Sequence, residues 1–157
     1  MRARAGSRSI TLADAEATRR LGAAVAAACR PGTVVLLRGP LGAGKTTFAD
    51  GFVAALGAGS ATSPTFVLAH RYAGESFSVW HLDFYRLDAR EIHDLDMNEY
   101  LAEDAITLVE WPERADFSWP ADRIEIEFSI SGQQRRADLR GSAGGVAAVD
   151  ALPDAGD

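Results

Sequence analysis

Residues 39–48, GPLGAGKTTF, follow directly on the apolar run Val34, Val35, Leu36 and Leu37 and precede a stretch of helical periodicity. Few local patterns restrict a fold so tightly. The β-branched and leucine-rich run over 33–38 has the composition of a parallel strand buried on both faces. Over 45–56 the apolar residues Phe48, Phe52, Val53 and Leu56 recur at helical spacing, with Gly57 and Gly59 as the stop. Strand, glycine loop and helix in that order predict an α/β fold, a P-loop NTPase-like single domain with a mixed central β-sheet flanked by helices.

Gly39 together with Gly44, Lys45 and Thr46 matches G-x-x-x-x-G-K-[ST]. Each residue type has a physical reason. Glycines permit backbone angles that turn successive N–H groups inward, making a concave anion site at the positive end of the following helix. Gly39, Pro40, Leu41, Gly42, Ala43, Gly44, Lys45, Thr46 and Thr47 are thus the expected nucleotide-binding residues. Lys45 would reach the β- and γ-phosphates as a point charge, and the Thr46 hydroxyl would ligate Mg²⁺. From composition alone, a chance match in a chain this long is on the order of one in two hundred, so an incidental glycine turn is the weaker reading.

Binding is not hydrolysis, which needs a further acidic group near the metal and something to orient water. Glu110 is the leading candidate, because it ends the apolar run 106–109, and ligands of open α/β sheets gather at the carboxyl ends of strands. Asp83, after the expected strand 77–82, is the second. Either alone could cap a helix or pair with Arg86; their shared place at strand ends beside the loop favours the site. Thr65, between the loop's helix and the next strand, stands where a switch loop would sense γ-phosphate, or simply in a turn.

The remaining elements follow from periodicity and punctuation. Apolar spacing from Leu12 to Cys29 predicts an amphipathic helix with Thr11 as N-cap, ended by Pro31 and Gly32. Residues 66–72 and 77–82 predict a hairpin, 89–103 a helix broken near Asp96 and Met97, and 106–110 a buried strand that Pro112 stops. RIEIEFSI over 123–130 alternates strictly and is expected to pair with 135–140. Residues 1–8 are expected to be a flexible arm, 9–140 the P-loop domain, and the Gly, Ala and Asp-rich stretch 141–157 a disordered or loosely attached tail.

Composition narrows the class. A chain of 157 residues suffices for one domain. No apolar run approaches the roughly 20 residues that span a bilayer, and no secretory signal follows Arg2, Arg4 and Arg8, so the chain is read as cytoplasmic with no membrane association. A formal net charge of −6 disfavours direct contact with a phosphodiester backbone. The single cysteine, Cys29, reads as a small core residue. His81 and Asp83 have the spacing of a metal pair, but no cysteine or histidine cluster accompanies them to make a zinc site. Trp111 could stack on a nucleotide or a partner or cover the core, and Tyr85 and Arg86 could face a partner.

GPLGAGKTTF, SPTF, HLDFYRL at 81–87 and VEWPE at 109–113 occur here in the order and spacing of the TsaE (YjeE-type) ATPases, which the chain resembles over roughly 9–140. That resemblance implies a small mixed-sheet ATPase of bacterial tRNA threonylcarbamoyladenosine synthesis, with Mg²⁺ as cofactor and ATP as substrate. It further implies TsaB and TsaD as partners, tRNA being reached only through them, and ATP hydrolysis serving multiple turnovers of the transfer to adenosine 37. By matching motifs, Lys45 and Thr46 take the phosphate and Mg²⁺ roles, Thr65 lies in the switch-like loop, Glu110 is the second Mg²⁺ ligand, Asp83 is a catalytic acidic position that positions water or organises the site, and Trp111 is a functional aromatic. Pro40 departs from the acidic residue common there. Two other readings remain: a small-molecule kinase, which would need an Arg-bearing lid that the sequence lacks, and a non-hydrolysing nucleotide-dependent assembly factor.

Overall fold

Alternation along the central strands decides the architecture. In β2 (Val34–Arg38), Val35 and Leu37 enter one apolar cluster while Val34 and Leu36 enter another. Successive side chains of a strand point to opposite faces, so β2 is covered on both, as its composition predicts. The computed structural model of the protein describes residues 6–58, 69–101 and 103–153. Within them runs a seven-stranded sheet whose other strands are β1 (Ser7–Leu12), β3 (Ala69–Ala73), β4 (Ser78–Asp83), β5 (Ala105–Glu110), β6 (Arg123–Ser131) and β7 (Gln134–Ser142).

The spatial order is β1-β7-β6-β2-β5-β4-β3. Strands β6, β2, β5 and β4 are parallel, and the hairpins β3–β4 and β6–β7 add antiparallel strands at either side, with β1 antiparallel to β7. The expected mixed sheet and both expected hairpins are therefore present. One face carries α1 (Ala15–Ala28), α2 (Lys45–Ala55) and α4 (Gly145–Asp150), whose Leu21, Val25, Phe48, Phe52 and Val149 share a cluster with Val35, Ile106 and Ile126. The other face of β2, β5 and β4 is covered by α3 (Ala89–His93) and the 3-10 turns Met97–Glu99 and Pro112–Arg114. The break expected near Asp96 is real: Asp96 caps the Met97 turn by accepting from Asn98 N at 3.1 Å.

Helices α1 and α2 meet through reciprocal glycines. A Cβ on Gly22 would stand 2.2 Å from Phe48 O, and one on Gly51 would stand 2.1 Å from Arg19 O. Both distances are far inside van der Waals contact, so each helix bears on the other's backbone, which fixes α2 and the loop before it.

Three expectations are corrected. Leu12 and Thr11 do not begin α1; they close β1, and the cap is Asp14, which accepts from Ala17 N at 2.8 Å. The arm reading fails from Ser7 onward, because β7, more than 120 positions along the chain, supplies a full ladder of pairs from Ser7 with Arg140 to Leu12 with Arg135. A strand made by so distant a partner leaves little local signal. Finally, the stretch after Gly141 is not loosely attached. β7 continues to Ser142, α4 follows, and Ala148, Val149 and Leu152 are buried. The small residues are what allow this packing: a Cβ on Gly145 would stand 2.1 Å from Arg123 O. Residues 1–5 and 154–157 lie outside the described residues.

Candidate functional site

The loop leaves β2 at Arg38 and enters α2 at Lys45. Gly39 has φ 136°, Gly42 φ 77° and Gly44 φ 114°, left-handed or related backbone that side-chain-bearing residues rarely adopt. Gly44 is the N-cap of α2 and brings no side-chain hydrogen bond to it, so its side chain caps none of the first N–H groups of the helix, the groups that can bind an anion. On Gly39 a Cβ would also strike Phe128 O at 2.5 Å. Arg135 of β7 braces the loop, donating from Nε to Gly42 O at 3.1 Å.

Register assembles the acidic side of the site. β2, β5 and β4 are parallel neighbours, and Leu37 lies level with Glu110, which lies level with Asp83. Both carboxylates therefore stand at the carboxyl edge of the sheet beside the loop. Strand parity selects their face: Glu110 shares that of Ile106 and Leu108, and Asp83 that of Val79, all toward α2. Thr46 Oγ1 consequently lies 3.3 Å from Glu110 Oε1 and 3.5 Å from Oε2. Asp83 Oδ1 accepts from Tyr85 N at 2.9 Å.

Lys45 is only 5% exposed. Its Nζ donates to the carbonyls of Gly39 and Pro40, the latter at 3.0 Å, and sits 4.2 Å from the centre of the Trp111 ring. Burial holds the ammonium below the ordinary lysine value, against the pull of Glu110, Glu113, Asp83 and Glu127. Burial also pushes the Asp83 carboxyl up. The Tyr85 N–H opposes that rise, Glu110 adds to it, and His81 and Lys45 oppose it. Burial, and then Asp122, push the Cys29 thiol up to about 12, which disfavours the thiolate.

Leu41, Gly42, Gly44, Lys45, Thr46, Thr47, Asp83, Tyr85, Arg86, Glu110 and Trp111 line one cleft of about 470 Å³. Tyr85 and Trp111 form its aromatic rim, ring centres 4.9 Å apart. Trp111 adopts φ 59° and ψ 47°, a left-handed conformation uncommon for a large residue. Its N–H donates to Leu37 O at 3.2 Å, and Pro112 follows in a 3-10 turn. Pro40 contributes its carbonyl to Lys45, and Ala43 is buried behind the loop. Thr65 lies outside the described residues. The arrangement offers a cation, a hydroxyl, two carboxylates and a helix N-terminus to one polyanionic guest and its counter-ion.

His81, whose sequence spacing from Asp83 suggested only a metal pair, is a polar neighbour of Glu110. His81 is fully buried, and its Nε2 is 2.6 Å from Glu110 Oε2. The signal was available in the two-residue spacing from Asp83, which in a strand means a common face rather than a metal pair. Among the described residues no group of three or more His, Cys, Asp or Glu forms a metal cluster, and no helix is long and apolar enough to cross a membrane.

Comparison with known proteins gives a consistent result. The family model described as "Threonylcarbamoyl adenosine biosynthesis protein TsaE" matches residues 12–137. The tRNA threonylcarbamoyladenosine biosynthesis protein TsaE of Bacillus subtilis (strain 168) is 36% identical over 122 residues, 77% of this chain and 77% of that protein. Its counterpart from Streptomyces coelicolor is 41% identical over 115 residues, 70% and 77% of the two chains. A crystal structure of Bacillus subtilis YdiB superposes with a TM-score of 0.75 at 28% identity, covering 91% of this chain and 90% of that one.

Proposed function

The chain belongs to the TsaE family of threonylcarbamoyl adenosine biosynthesis proteins, and from that premise we propose that it is a cytoplasmic Mg²⁺-dependent ATPase. It binds and hydrolyses ATP to support multiple turnover of the TsaB–TsaD complex in modifying adenosine 37 of tRNA. The observation that carries this reading is the approach of Thr46 Oγ1 to Glu110 Oε1 at 3.3 Å beside an uncapped helix N-terminus. Oxygen ligands of Mg²⁺ stand about 3 Å apart, so Thr46 and Glu110 are spaced as residues that would together hold the ion. The ion, when bound, neutralises charge on the β- and γ-phosphates.

The chain's own groups do the rest. Loop N–H groups and the α2 terminus hold the phosphates; the Lys45 ammonium leaves the Gly39 and Pro40 carbonyls for the β- and γ-phosphate oxygens. Asp83, level with Glu110 and inside the same cleft, orients water or organises the groups that do. Tyr85, Arg86 and Trp111 rim the cleft and face the partner. A formal net charge of −6 supports contact with tRNA through TsaB and TsaD rather than directly.

ATP turnover measured with and without TsaB–TsaD tests the proposal. Slow hydrolysis alone and faster hydrolysis with the complex are expected. Turnover that depends on an added small phosphate acceptor would mark a kinase, and nucleotide occupancy without hydrolysis in the full complex would mark an assembly factor.

A further inference from the structure

His81 fills a fully buried position under the cleft with an imidazole where a leucine would fill space without polar atoms. Its Nε2 meets Glu110 Oε2 at 2.6 Å, and its Nδ1 has no hydrogen-bond partner among the described residues. A Glu110 that holds a cation is ionised and only accepts, which makes Nε2 the donor in this bond. Burying an imidazole with one nitrogen unsatisfied is unfavourable compared with an apolar side chain. Core packing alone therefore does not account for it.

Glu110 is itself only 3% exposed and has two oxygens to place. Oε2 is taken by His81, while Oε1 is the nearer to Thr46 Oγ1, 3.3 Å against 3.5 Å. The backbone brings the His81 and Glu110 side chains together, although Thr46 Oγ1 also lies within 3.5 Å of Oε2. His81 lies level with Leu108 on β5, and Glu110 is two residues further along the same strand and on the same face. The imidazole thus reaches the carboxylate from beneath, and the carboxylate faces the loop.

We propose that His81 is a positioning residue: its Nε2–H clamps Glu110 Oε2 and so presents Oε1, as a single donor, to the cation held beside Thr46. The inference rests on the Mg²⁺–nucleotide reading of the cleft. His81 touches neither nucleotide nor metal and acts through Glu110.

Calorimetry of ADP binding, with Mg²⁺ and with EDTA, separates this inference from the reading beneath it. In His81→Leu the gain in ADP affinity on adding Mg²⁺ should fall about tenfold, with Mg²⁺-free affinity unchanged. His81→Gln, which keeps an N–H at similar reach, should restore the gain to within about threefold of wild type. An unchanged Mg²⁺ gain in His81→Leu, or equal losses in both variants, overturns the clamp while leaving the nucleotide site standing. Failure of wild-type protein to bind ADP at all overturns both. Should the leucine variant not fold, ¹⁵N-histidine NMR of the wild type decides: a protonated Nε2 with a bare Nδ1 that shifts on Glu110→Gln substitution is expected, and protonation at Nδ1 alone overturns the clamp.

Discussion

Thr46 Oγ1 lies 3.3 Å from Glu110 Oε1, although 64 residues separate the two along the chain. The hydroxyl comes from the first turn of α2 and the carboxylate from the last residue of β5. Only the parallel pairing of β2 with β5 brings them together. Glu110→Ala is expected to lower Mg²⁺-dependent ATP hydrolysis at least tenfold while leaving Mg²⁺-free nucleotide binding in place. Turnover equal to that of the wild type would remove Glu110 from the reaction.

Lys45 presents the opposite dependence. Its ammonium is the positive side-chain charge at the head of α2 within the cleft, so Lys45→Ala should abolish detectable ATP binding with or without metal. Isothermal titration and the nucleotide-induced rise in melting temperature report it, and a retained rise would contradict the assignment.

Asp83 links the site to pH. Because burial raises its folded value above the ordinary 3.8, the folded state holds the proton longer than the unfolded chain. Stability contributed by this group is therefore full below about pH 3.8 and declines as pH rises through the folded value. Asp83→Asn keeps the oxygen that accepts from Tyr85 N and removes the ionisation. Urea denaturation should show the variant more stable than wild type at pH 7, with the difference shrinking toward pH 3; a difference that grows on acidification would refute the sign.

Gly22 and Gly51 give a prediction about the scaffold. Since an added Cβ meets backbone rather than a movable side chain, Gly22→Ala should destabilise the protein by about 2 kcal/mol or more. Unfolding midpoints in urea would measure it. The same substitution at Gly132, where nothing lies within 4 Å, tests only the strain of its φ of 62° and should cost about 1 kcal/mol.

The end of the chain carries the last prediction. Leu152 is 5% exposed and packs with Val149 into the helix-side cluster, and Asp150 Oδ1 accepts from Gly6 N at 2.8 Å. Leu152→Ala should therefore cost about 2 kcal/mol, whereas a dangling tail would tolerate it without change.

What could be read from the residues in order was whatever neighbouring residues decide among themselves. A run of Val and Leu, a glycine loop, a lysine and a threonine specify β2, the anion cradle and the start of α2, because each depends on backbone angles and local periodicity. Strict alternation in 123–130 placed β6 for the same reason. Glu110 and Asp83 were legible as strand-end acids, since an apolar run announces where a buried strand stops. Sequence order misleads where the partner is remote: Ser7 to Leu12 look like an arm and a helix start until β7 pairs with them, and Gly145 looks idle until Arg123 O occupies the space a Cβ would need.

The sequence by itself determined the chemistry on offer: a cradle for phosphate, a cation, a hydroxyl and two acids. Tertiary structure alone decided their company. It set Asp83 level with Glu110, brought the Glu110 carboxylate to Thr46, put His81 beneath it, and folded Trp111 over Lys45. The physical reason is that a strand's alternation tells which residues share a face, whereas which face meets which helix depends on sheet order and register, and those emerge only when distant segments bury their apolar surfaces together.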